Sequence, residues 1–174
     1  NGSCIEPIKE SFTNYKFYDL EPENSEIIKQ DYLDFNYNEI ISNNFNKKHI
    51  IGNPPFGRQS SLAIKFIKKS SEYGDSISFI LPKSFKKDSM KKHFALSFHL
   101  VCEYDLPENS FIVDDKSYDV PCVFQIWVKK DIEREVKQIE EPCGFHWVKK
   151  PEVVQKCLND KGKPIKEHIF SEPV

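Results

Sequence analysis

The sequence predicts an α/β domain on three observations. Short apolar runs of strand length alternate with segments of helical periodicity. Two longer apolar runs late in the chain read as a hairpin, and Asp19, Asp31 and Asn53 each stand where a strand should end. Such alternation implies a mostly parallel sheet with helices on both faces and one antiparallel strand at its end. In sheets of this kind ligands sit beyond the carboxyl ends of the strands.

In chain order, residues 15–20 and 26–31 read as short strands ending in acid, and residues 37–45 as a short helix. The run His49-Ile50-Ile51-Gly52 is a strand stopped by Asn-Pro-Pro, because proline lacks the donor a ladder needs. Residues 60–73 set Leu62, Ile64, Phe66 and Ile67 among lysines at near-helical spacing, with Gly74 as the stop. Residues 76–81 predict a buried strand ended by Pro82, and residues 86–96 a second basic helix. Residues 99–106 and 120–129 are two longer strands joined by a loop rich in Asp, Pro and Ser.

A length of 174 residues suits one domain, 1–174, with a core of its own. A hydrophobic content of 39% with 13% aromatics excludes a disordered chain. No apolar run approaches the roughly 18 residues of a membrane span, and no signal peptide opens the sequence. The five cysteines, Cys4, Cys102, Cys122, Cys143 and Cys157, are odd in number and never form C-x-x-C, so a disulfide framework and a zinc site are both disfavoured. A cytoplasmic location is the expectation. The five histidines show no i, i+4 pairing, so no metal is expected either.

The net charge of −2 conceals an uneven distribution. Residues 58–92 carry nine basic side chains against three acids, a local charge of +6 that leaves −8 for the remainder. Two readings stay open for this stretch: solvated helix faces, or a surface that tracks the phosphates of a nucleic acid.

Asn53-Pro54-Pro55-Phe56, directly after the strand 49–52, is the segment that speaks of chemistry. Standing alone, Asn-Pro-Pro is an ordinary turn. Here an apolar strand precedes it and an amphipathic helix follows. In that setting it resembles the Asp/Asn-Pro-Pro-aromatic signature of the S-adenosylmethionine-dependent amino-methyltransferases. The resemblance implies a Rossmann-like class I methyltransferase sheet, S-adenosylmethionine as cofactor, and an exocyclic amine as acceptor. Adenine N6 in a nucleic acid is the first expectation, DNA slightly ahead of RNA.

The amine's lone pair is delocalised into the ring, so it is a poor nucleophile. The Asn53 side-chain carbonyl and the Pro54 backbone carbonyl can each accept one amine hydrogen, which pulls the nitrogen toward tetrahedral geometry. Pro54 and Pro55 stiffen the loop, and Phe56 offers a face on which an extruded base can stack.

The resemblance also implies cofactor contacts. Asp19, with Leu20 beside it, matches the position that takes the ribose hydroxyls, and Asp31 the one that accepts from the cofactor's adenine amine, with Tyr32 flanking the ring. Either acid could instead be a turn residue closing its strand. The family's glycine loop and first strand should precede Asp19, where only Asn1-Gly2-Ser3 carries a glycine turn. Residues 149–158 resemble the family's opening helix and residues 168–173 its first strand, with Glu172 as the acid near that strand's end. The family's order therefore reads as circularly permuted, with residues 149–174 supplying its beginning and Asn1 and Gly2 the remains of its cofactor loop.

Other acceptors fit the same loop chemistry, namely an RNA base or a protein glutamine. A non-catalytic nucleic-acid-binding subunit of the same fold is the alternative from a different class. Nothing in the chain is large enough for a separate target-recognition domain. Sequence choice would then come from residues 107–121, from the basic stretch, or from a separate specificity subunit.

Overall fold

Strand and helix alternate along the chain much as the apolar periodicity requires. A computed structural model describes residues 5–36, 47–113 and 116–136. The chain divides between Val136 and Lys137, and every described residue belongs to the first unit. The expectations resting on Asn1, Gly2, Glu172, the helix 37–45, the permuted segment 149–174 and the single domain 1–174 therefore lie wholly or partly outside the described residues.

The helices are α1 (Ile5–Ser11), α2 (Ser61–Tyr73) and a one-turn α3 (Asp88–Lys91), with 3-10 turns at Arg58–Ser60 and Lys83–Lys86. The strands are β1 (Phe17–Asp19), β2 (Ile27–Lys29), β3 (His49–Gly52), β4 (Ser76–Pro82), β5 (Phe98–Asp105), β6 (Phe111–Val113), β7 (Lys116–Tyr118) and β8 (Cys122–Lys129). β1 and β2 pair in parallel, and β6 and β7 form a small hairpin within the loop between the two long strands. The main sheet has the order β3-β4-β8-β5.

That sheet is small and mixed: β3 and β4 are parallel, and β8 runs antiparallel to both β4 and β5. The place of the antiparallel strand differs from the expectation, for it is not at the end: β8 inserts between β4 and β5, with seven residue pairs to β4. An interior place suits its sequence. Val123, Gln125 and Trp127 of β8 are buried, and so are Ile77, Phe79 and Leu81 of β4 on the same face.

The core forms where α2 covers this face. Ala63 and Ile67 from α2 meet Ile77, Phe79, Leu81, Val123 and Trp127, and Phe85, Phe94 and Phe98 complete the cluster. Burying a side chain such as Ile67 contributes roughly 1.5–3 kcal/mol. Covering of the two faces is unequal. On the opposite face Ile51 is 47% exposed, while Ile80, Phe124, Ile126 and Val128 are half-buried.

The segment 86–96 is not the single helix that its lysines suggest. A 3-10 turn ends at Lys86, Lys87 is extended with φ −76° and ψ 142°, and α3 then makes one turn. The break lets Phe85 and Phe94 both reach the core. Phe94 stacks on Trp127 at 4.0 Å, and Arg134 clamps the segment from outside. One guanidinium nitrogen of Arg134 donates to the carbonyls of Lys91 and Phe94, at 2.9 and 2.8 Å, and the group lies 5.4 Å from the Trp127 ring centre.

Gln125 is fully buried yet satisfied. Its amide nitrogen donates to the Phe85 carbonyl and to Glu103, and its oxygen accepts from the Trp127 indole. Gly74 ends α2 as expected, though not through a left-handed turn. A Cβ there would lie 2.7 Å from Ile50 Cδ1 and 2.9 Å from the Ser70 carbonyl oxygen, so glycine permits the close return to the sheet.

Candidate active site

Parallel pairing with β4 fixes where β3 ends, and Asn53 emerges from its carboxyl end. Asn53 is exposed and its amide makes no hydrogen bond among the described residues. Pro54 is buried and anchors the loop, Pro55 is exposed, and Phe56 is half-buried. The Phe56 carbonyl accepts from the N–H groups of Leu62 and Ala63, at 3.2 and 3.4 Å, so the loop itself caps α2.

Behind the aromatic residue the backbone is forced into an uncommon path. Gly57 has φ 69° and ψ 178°, a region open in practice to glycine alone, and Gln59 and Ser60 follow with φ of 53° and 61°. Left-handed residues other than glycine cost about 1–3 kcal/mol each and persist only where their surroundings hold them. The helix cap and the buried Pro54 supply that hold. The strain sits directly beside Asn53-Pro54-Pro55-Phe56.

Asp19 and Asp31 come together through the parallel register of β1 with β2. Asp19 ends β1, Asp31 lies just past β2, and the Gln30 N–H donates to the Asp19 carbonyl at 2.9 Å. Each acid also closes a local turn: Asp19 Oδ1 accepts from the Glu21 N–H at 3.0 Å, and Asp31 Oδ1 from the Leu33 N–H at 2.8 Å. The turn reading of these acids thus holds for one oxygen of each carboxylate. The Asp19 carboxylate is exposed, as is Leu20 beside it.

Tyr32 is engaged in packing. Its ring stacks on Phe66 of α2 at 4.9 Å with 18° between planes. The Ser70 hydroxyl donates to the Phe66 carbonyl, so at 2.7 Å the Tyr32 hydroxyl must be the donor to Ser70. Burial raises the pKa of this phenol. One face of the ring is taken, and the flanking role that the resemblance implies is left the other face alone.

Cys122 is a packing residue: it is buried, and burial pushes its thiol up, away from the reactive thiolate. Among the described residues no group of His, Cys, Asp and Glu could hold a metal, and no helix is long and apolar enough to cross a membrane. The sequence pointed to neither Arg134 nor Gln125. Each bonds a main-chain carbonyl 40 or more residues away, which no local pattern announces; that Arg134 is one of two arginines was the available signal.

No family model matches the chain. It is 30% identical over 142 residues to the Arabidopsis thaliana protein ENHANCED DOWNY MILDEW 2, a match taking in 73% of this chain and 11% of that protein. The chain therefore spans a small part of that relative's length. In structure it is similar to a candidate RNA methyltransferase of Pyrococcus horikoshii, over 72% of this chain and 55% of the other, with a TM-score of 0.41 and 18% identity. A structural likeness that weak carries neither fold nor function to this chain.

Proposed function

We propose that the chain is a Rossmann-like, S-adenosylmethionine-dependent methyltransferase domain acting on an exocyclic amino group, adenine N6 in a nucleic acid, with DNA ahead of RNA. The observation that supports this most is Asn53-Pro54-Pro55-Phe56 at the carboxyl end of a parallel strand, in a strained loop that caps the next helix. Loops held in this way keep polar groups aimed at one point, which is what transfer to a weak nucleophile demands.

The residues present fit the cofactor in part. Asp19 is exposed at a strand end and keeps one carboxylate oxygen outside its turn bond, free for a ribose hydroxyl. Asp31 is half-buried beside it, with one oxygen likewise left for an adenine amine. When bound, S-adenosylmethionine supplies an electrophilic methyl group. The chain's own part is positioning. The Asn53 Oδ1 and the Pro54 carbonyl accept the two amine hydrogens, Phe56 stacks the base, and water takes the proton lost from the methylated nitrogen. No strong base is required.

The basic stretch 58–92 is read as the nucleic-acid contact, with sequence choice left to a separate specificity subunit. RNA and protein glutamine are acceptors of the same geometry. The packing of Tyr32 on Phe66, together with the turn roles of both acids, favours as a second reading a non-catalytic nucleic-acid-binding subunit of this fold. Calorimetric titration with S-adenosylmethionine separates the two. Saturable binding, followed by transfer of labelled methyl to DNA, RNA or protein pools, supports the enzyme; absence of binding supports the subunit.

A further inference from the structure

The basic stretch divides into two groups of unlike character. Lys83 and Lys86 both pair with Asp105 at 3.3 and 2.9 Å, and Lys91 pairs with Glu103 at 3.2 Å. These three cations share two carboxylates of the chain's own β5, Asp105 and Glu103. Lys68 and Lys92 form no ion pair among the described residues, and the nearby Glu72 is engaged by Lys69 at 3.5 Å.

Lys68 and Ser71 of α2 face Lys92, His93, Phe94 and Leu96 across a concavity of about 300 Å³, and no carboxylate lines it. That volume is at the lower end of ligand sites. The Ser71 hydroxyl already donates to the Ile67 carbonyl at 2.8 Å, so Lys68, Lys92 and His93 supply the side-chain donors. We propose that this concavity is a phosphate-group site, in which the ammonium groups of Lys68 and Lys92 and the imidazole of His93 hold the anion.

The charge distribution agrees. Burial, and then the ammonium groups of Lys92 and Lys68, hold the His93 imidazole below the usual histidine range. A bound phosphate reverses that field and favours the protonated ring. The phosphate can belong to a nucleic-acid backbone or to a free phosphorylated compound. The first source rests on the nucleic-acid reading above.

Two measurements on the full chain test the proposal. Inorganic phosphate is titrated while the His93 imidazole resonances are followed, and labelled DNA and RNA oligonucleotides are titrated by anisotropy at several salt concentrations. The variants are Lys68→Gln/Lys92→Gln and, as the control, the exposed pair outside the basic stretch, Lys129→Gln/Lys130→Gln. Phosphate should move the His93 resonances saturably and raise the pH of their midpoint, and the first pair of substitutions should abolish both effects. If the backbone is the source, that pair should also weaken oligonucleotide binding roughly tenfold or more and flatten the salt slope by about 0.7–0.9 per contact, with little effect of the control pair. A His93 response to phosphate without oligonucleotide binding by the wild-type chain keeps the site, assigns it to a free phosphate, and removes the nucleic-acid reading. Oligonucleotide binding indifferent to Lys68 and Lys92, with no His93 response, overturns the site and leaves that reading standing. No response to either ligand removes both.

Discussion

Substituting Gly57 by alanine tests whether the loop behind Phe56 is held under strain. Its backbone, at φ 69° and ψ 178°, is essentially barred to residues with a Cβ, a cost of about 1–3 kcal/mol. The new methyl would also sit 2.9 Å from Leu62 Cγ and 3.1 Å from the Leu62 backbone nitrogen. The side-chain clash can relax by rotation, but the backbone one cannot without disturbing the cap that Leu62 and Ala63 make on the Phe56 carbonyl. Together the two effects predict a loss of about 2–4 kcal/mol, with overpacking supplying the part beyond backbone strain. At roughly 2–4 °C per kcal/mol for a chain of this size, Tm should fall by about 5–15 °C. Chemical and thermal unfolding, followed by circular dichroism, measure it. The double variant Gly57→Ala/Leu62→Ala should recover none of the backbone part, because removing the Leu62 side chain leaves φ unchanged. A Gly57→Ala protein within about 0.5 kcal/mol of wild type would refute the strained-loop reasoning.

Arg134→Ala removes two charge-assisted hydrogen bonds and a ring contact, so stability should fall by about 2–4 kcal/mol, and Arg134→Lys should rescue it only in part, because an ammonium can donate to carbonyls but lacks the planar face set against the Trp127 ring. Denaturant unfolding reads both. The Asp105 carboxyl is held below the usual carboxylate range, chiefly by its hydrogen bond from Lys86 and then by Lys83. A depressed folded pKa gives stability that is present above the unfolded value of about 3.9 and lost as pH falls through the folded one. Asp105→Asn should therefore be slightly less stable than wild type at neutral pH and equal to it in strong acid, and equal stabilities at pH 7 would count against the pair. If residues 165–174 supply a strand, as the permuted order expects, deleting them should lower Tm sharply, whereas an unchanged Tm would mark them as an ordinary tail.

The elements legible in the sequence are those whose limits are set by local chemistry. β3 stops at Asn-Pro-Pro, α2 at Gly74 and β4 at Pro82, and each boundary falls within a residue or so of its expected place. Helix 86–96 was misleading because lysine content reports propensity, whereas the burial of Phe85 and Phe94 decides the backbone. The insertion of β8 between β4 and β5 was equally hidden, since periodicity says which face of a strand is buried and nothing of its neighbours. At the candidate site Asn53 and the two acids stand at strand ends as expected. The turn bonds of Asp19 and Asp31 are one of the two readings their places allowed. Two features there were not legible: the stacking of Tyr32 on Phe66 spans 34 residues, and the left-handed Gln59 and Ser60 have no signature at all.

The most direct test of the proposed activity compares single-turnover methyl transfer by wild type and by Asn53→Ala, with labelled S-adenosylmethionine and adenine-containing DNA and RNA, alongside calorimetry of cofactor binding. The account predicts transfer to adenine N6 by the wild-type chain. In Asn53→Ala it predicts a loss of a hundredfold or more, roughly 3 kcal/mol, the scale of one preorganised polar contact at a reacting centre, with cofactor affinity largely kept. Transfer at an unchanged rate in Asn53→Ala would contradict it.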